Sequence, residues 1–182
     1  MAATIEAIRH RPQVNDQNTI DLTWERCQEQ ALLAYRHTRP REAKAQWERG
    51  LKIAERHFQR GDPRLAASRT NHAFSLMRQH QTHQATLLFN QAILAWDEAW
   101  RWVALMEPAA EDGEGEPAPF DAEEQKAFYA LIEQGKIITE NFLRYGELSE
   151  AIEDDWQDVK TQGLNDVRRL FSAVLLMPTL QP

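Results

Sequence analysis

Apolar residues recur along most of this 182-residue chain at three- and four-residue intervals, the spacing of one helix face, and polar punctuation separates the runs. Two helical runs cover 21–37 and 41–58. Between them, Pro40 suits the first turn of the second run, where its missing N–H would have no helical partner anyway. Gly61-Asp62-Pro63 predicts the next boundary: Gly61 ends one helix, Asp62 caps the next and Pro63 takes its first position, so a third run reaches about His80. Thr82 is expected to cap a fourth helix that continues to about Met106. Residues 107–120 hold three prolines and two glycines and predict a solvated loop. Asp121 followed by Glu124 reads as a capping box opening a fifth helix to about Tyr145. A turn at 146–149 leads to a sixth helix capped by Ser149, and Gly163 and Asn165 precede a last amphipathic piece, 166–177. Residues 1–20 predict no more than a short helix and a tail.

A shift of 42 residues superposes part of this pattern on itself without gaps. Ala31 falls on Ala73, Tyr35 on Met77, Arg36 on Arg78, Ala43 on Ala85, Trp47 on Phe89, Gly50 on Ala92 and Leu51 on Ile93. Identities are few, but sizes agree. Small residues at 31/73, 43/85 and 50/92 let two antiparallel helices approach closely, and the large residue at 47/89 fills the space beside them. One such hairpin cannot bury its apolar face alone, so a recurring pattern predicts stacked neighbours.

The spacing resembles the tetratricopeptide repeat, with a small residue in the first helix and Ala-x3-Phe/Trp-x2-Ala/Gly in the second. The 42-residue period is similar to that of the kinesin-light-chain type, as is the stretch TNHAFSLM at 70–77, which includes Asn71 just before the small residue. The chain departs from that pattern at His72, where the type has Leu, and at Glu29, which stands where Asn71 stands in the second copy. A third, degenerate copy is traced at 139–151, with Thr139 as its small position, Phe142 and Gly146 where the family favours them, and Asp155 where the large aromatic belongs. The resemblance implies an all-α, right-handed stack of about six or seven helices. It divides the chain into a tail or short helix at 1–20, two hairpins at 21–106, an acidic loop at 107–120, and a third hairpin with a capping helix at 121–182.

Charge sharpens this division. Residues 1–106 carry 15 Lys/Arg against 11 Asp/Glu, whereas 107–182 carry 6 against 17, and 107–124 hold eight acids and no base. No strong basic patch of the nucleic-acid-binding kind is present. No segment approaches the roughly 20 apolar residues of a membrane span. The N-terminal stretch lacks a signal-like apolar segment and Cys27 is the single cysteine, so the cytoplasm is the expected compartment.

The family resemblance further implies a concave groove lined by the first helix of each pair. Its facing positions are Gln28, Leu32, Tyr35 and Arg36 in the first copy, Thr70, Asn71, Phe74, Met77 and Arg78 in the second, and Lys136, Glu140, Leu143 and Arg144 in the third. An Asn there can hold a peptide backbone through its donor and acceptor together, with Tyr35, Phe74 and Met77 as apolar anchors. Arg36, Arg78 and Arg144 each follow the small position of their copy by five residues, so stacking would align three guanidinium groups for carboxylates or phosphates. The competing reading is that each stands at a helix C-terminus, where the dipole favours any cation. The lysine/asparagine clamp of co-chaperone repeats is missing, since Gln28 and Leu32 hold those sites.

Trp96 and Trp100 share a helix face and are expected in the core, with Trp102 exposed and available to a partner. Enzyme-like signals are thin. His80 and His83 straddle a turn without a third ligand, the acids at 153–155 with Asp158 read as a solvated helix face, and Cys27 reads as a small buried hydrophobe. Arg60-Gly61-Asp62 reads as a helix-ending turn rather than an adhesion motif. The expectation is a non-catalytic adaptor that holds a protein or peptide segment, partly acidic, without cofactor, metal, nucleic acid or membrane. Two alternatives stand beside it: a constitutive subunit docking through the tryptophan-bearing helix and the apolar C-terminus, and an enzyme or sensor with a pocket between helices.

Overall fold

The computed structural model describes residues 14–105 and 122–146. They form five α-helices and no strand: α1 Val14–Arg36, α2 Pro40–His57, α3 Pro63–Met77, α4 Thr82–Ala104 and α5 Ala122–Tyr145. The expected boundaries hold closely for α2 to α5, while α1 begins at Val14 rather than at 21. The predicted loop at 107–120, the Asp121 cap, the sixth helix and the piece at 166–177 lie outside the described residues. None of the described helices is long and apolar enough to cross a membrane.

Local chemistry explains most of the ends. Pro40 and Pro63 occupy the first turns of α2 and α3, and the Asp62 carboxylate accepts the backbone N–H of Arg64 at 2.9 Å. Thr82 is the first residue of α4 rather than its cap. Gln81 holds the cap position and makes no side-chain bond there. Gly146 closes α5 with φ +73° while its N–H reaches the carbonyl of Phe142, a conformation that suits glycine. The turns after α1 and α3 use non-glycine residues for the same task. Thr38 (φ 54°) and His80 (φ 59°) are both left-handed. In each turn the next residue donates back across it, Arg39 to the carbonyl of Ala34 at 2.8 Å and Gln81 to that of Leu76 at 2.9 Å. At the 42-residue shift these closing bonds coincide, as do those of Thr38 to Tyr35 and His80 to Met77.

Each helix packs on the next in sequence, and α3 also meets α5. Side chains of α1 touch those of α3, and those of α3 touch α5, while α2 fills the space between α1 and α3 and α4 that between α3 and α5. The small and large residues of the repeat, Ala31, Ala43, Trp47, Ala73, Ala85, Phe89 and Ala92, are all at most 2% exposed, and Gly50 is buried with them. Aromatic rings also join the helices. Trp47 of α2 lies edge-on to Phe74 of α3 at 6.0 Å, and Phe89 of α4 stacks on Phe142 of α5 at 6.2 Å. Tyr35, Phe74 and Phe142 link these joins into one aromatic spine, at 5.2 and 4.8 Å.

Candidate functional site

The expected groove is closed along α3. Twelve of its 15 residues are buried, because α1, α2, α4 and α5 all pack around it. Gln28, Thr70 and Asn71 are 0% exposed and Phe74 is 2% exposed, so none of the four has surface to offer a partner. Their polar atoms are committed to one another. Asn71 Nδ2 donates to Gln28 Oε1 at 2.8 Å, and the amide of Gln28 fills the space where a Cβ on Gly50 would sit, 2.5 Å from its Nε2. Thr70 and Thr139 share a hydroxyl hydrogen bond of 2.8 Å, and Trp96 Nε1 donates to Thr139 Oγ1 at 2.9 Å. Asn71 Oδ1 is left buried without a partner, so this side chain is not the peptide-backbone clamp the sequence suggested.

What remains accessible clusters at the turns. Leu32, Tyr35 and Met77 are half-buried, and Arg36, Arg78 and Arg144 are exposed. Each arginine is at a helix C-terminus: Arg36 ends α1, Arg78 caps α3, and Arg144 lies in the last turn of α5, 3.6 Å from Glu140. The contacts between α1 and α3 join residues 40 to 44 positions apart, in step with Arg36 and Arg78. Those between α3 and α5 do not continue the expected alignment. Thr139 faces Thr70, 69 positions away, and not Ala73, which displaces Arg144 from the line of the other two.

The tryptophans are redistributed as well. Trp96 is fully buried, as expected, with its ring against Gly135, where a Cβ would lie 2.7 Å away. Trp100, expected in the core, is 41% exposed and leans on Tyr129 at 4.4 Å between ring centres. Trp102, expected exposed, is half-buried and covers Gly61. Gly61 therefore permits a close approach, with a Cβ there 2.7 Å from Trp102 Cβ. The reason is that α4 is covered on two sides, by α3 with its preceding turn and by α5, whereas helical periodicity alone assumes one buried face.

Two clefts flank α4. One, of about 380 Å³, lies between the start of α1, the α2–α3 turn and the end of α4, and has Arg64 in its floor. That guanidinium binds Asp62 at 2.6 Å and Asp21 at 2.9 Å and stacks on Phe58 at 3.8 Å. Burial would favour its neutral form, but the two carboxylates more than offset this and hold its pKa above the ordinary value. Sequence reading missed this triad, since Asp62 looked only like a cap and nothing marked Arg64 or Asp21. The other cleft, of about 280 Å³, separates α4 from α5 and is lined by Trp96, Asp97, Trp100, Ile132, Glu133 and Lys136.

Remaining candidates have plain settings. Cys27 is buried, and burial pushes its thiol pKa up, against smaller opposing pulls from Arg49 and Arg26. His80 and His83 are exposed, and among the described residues no three His, Cys, Asp or Glu side chains come together as metal ligands would. Asp62 of the Arg-Gly-Asp tripeptide is buried in its ion pair. The acids at 153–155 and Asp158 lie outside the described residues. The chain matches no family model, no curated protein and no solved structure.

Proposed function

We propose that this chain is a non-catalytic interaction module of the tetratricopeptide-like kind, whose turn end, bearing Arg36 and Arg78, holds an acidic segment of a partner protein. The observation that supports the reading is the recurrence of the turn: Thr38 and His80 are both left-handed and are closed by the same bond at the 42-residue shift. Units that repeat in this way place equivalent side chains side by side and build extended binding surfaces. At the turn end those side chains are Arg36 with Tyr35 and Arg78 with Met77, flanked by the exposed Arg41. Planar guanidinium groups over half-buried apolar side chains suit carboxylates on a peptide.

Architecture alone does not assign a task, so the reading rests on the arginines. Double substitution of Arg36 and Arg78 by Ala, with the melting temperature unchanged, is expected to abolish capture of a partner that the unaltered chain retains from native extract. Retention of the same partner by the double variant would overturn it.

One observation favours a second reading, that of a constitutive subunit docked through α4. Leu87, Leu94 and Leu105 are 54%, 64% and 83% exposed, and their spacing of seven and eleven puts them on one helix face. Substitution of Leu94 by Glu would release the chain from such an assembly while leaving arginine-dependent capture intact.

A further inference from the structure

We propose that the crevice between α4 and α5 is a second binding site, which receives an arginine side chain from a basic segment of a partner polypeptide. It lies far from the turn end: Trp100 is 18 residues along from Thr82, about 27 Å at the helical rise. The inference therefore stands independently of the role proposed for Arg36 and Arg78.

Three observations on this crevice point to a cation. Its mouth is aromatic, with Trp100 exposed and held against Tyr129. A tryptophan face attracts a guanidinium through the ring quadrupole, and a planar cation stacks on it. Second, its charged lining is already partly paired and leaves one anion over. Lys136 Nζ binds Asp97 at 2.6 Å, whereas Glu133, exposed one turn from Tyr129, makes no ion pair among the described residues. A guanidinium resting on Trp100 can donate two N–H groups to that carboxylate, which lines the same crevice. Third, the sequence that joins the two walls is strongly acidic. Residues 96–136, which run from one wall of the crevice through the α4–α5 connection to the other wall, carry 11 Asp/Glu against 3 Lys/Arg. That excess of eight is larger than the net charge of −7 on the whole chain, so the rest is close to neutral. A field of this sign speeds the approach of a basic segment and repels an acidic one.

The test uses the full chain labelled with ¹⁵N. The indole N–H signal of Trp100 is assigned by its loss in Trp100→Phe, and the probe is a heptapeptide with three arginines. A control peptide carries citrulline, which keeps the shape and loses the charge. The expected result is a saturable shift of the Trp100 indole signal with the arginine peptide and none with citrulline. Affinity should fall on the order of 5- to 10-fold in Glu133→Gln, the loss of one charged contact. Equal binding of the citrulline peptide, an unchanged affinity in Glu133→Gln, or shifts confined to 107–124 with the Trp100 indole unmoved would each overturn the site. The Arg36/Arg78 double variant should bind the arginine peptide as the parent does, which separates this outcome from that of the turn end.

Discussion

Toward α1, α3 presents Arg64, Ser68 and Asn71 to Asp21, Trp24 and Gln28; toward α5 it presents Thr70 and Phe74 to Thr139 and Phe142. The first seam is closed by ions and hydrogen bonds, the second by rings packed around one shared hydroxyl pair. Both sit beneath the same alternation of small and large residues on α2 and α4. The periodic pattern thus brings helices close, and the side chains on the meeting faces then settle their register. A polar seam is satisfied at one offset only, since a slip of one residue would strand several buried donors and acceptors. The α3–α5 seam has fewer such bonds, centred on Thr139, and its offset departs from the expected alignment.

This contrast can be broken most severely at Arg64. Its replacement by Met leaves Asp21 and Asp62 buried without their cation, and denaturant unfolding should show a loss of about 3–5 kcal/mol. Beside the other seam, where α4 packs on α5, Gly135→Ala forces a methyl into the ring of Trp96, which its bond to Thr139 holds in place; the expected cost is about 1–3 kcal/mol. Thr139→Val keeps the shape and removes the hydroxyl that serves both Thr70 and Trp96, for about 0.5–1.5 kcal/mol. The smallest effect belongs to His72, on the side of α3 near Glu48, Lys44 and Lys52 of α2. Burial lowers its pKa below the ordinary 6.5. The unfolded chain then takes up the proton first, so stability is full above about pH 6.5 and declines as the pH falls below it. In His72→Gln that part of the acid-side decline should vanish from melting curves recorded between pH 7 and 5.

Much of the helical layout was legible in the sequence because its signals are local. Proline in a first turn, Asp62 as a cap and the small–large alternation of Ala43, Trp47 and Gly50 each depend on a few neighbouring residues. The two left-handed turns were not read, since a β-branched residue such as Thr38 rarely adopts positive φ and His80 signals it only weakly. The candidate site was misread where its meaning is collective. Gln28, Thr70 and Asn71 look like groove-lining polar residues until α1, α3 and α5 are seen to close on one another. Arg64 has no motif at all, because its partners come from two different segments. Trp100 and Trp102 exchanged roles for a related reason: α4 is enclosed on two sides, which its own period does not reveal.

A double-mutant cycle on Gln28 and Asn71, 43 residues apart and joined by a 2.8 Å hydrogen bond, tests most directly whether the hairpins stack in register. If they do, Gln28→Ala and Asn71→Ala will be coupled by about 0.5–3 kcal/mol in unfolding free energy, because the second truncation has no bond left to break. Effects that add to within about 0.5 kcal/mol would mean the two amides do not meet, and the stacked arrangement would be contradicted.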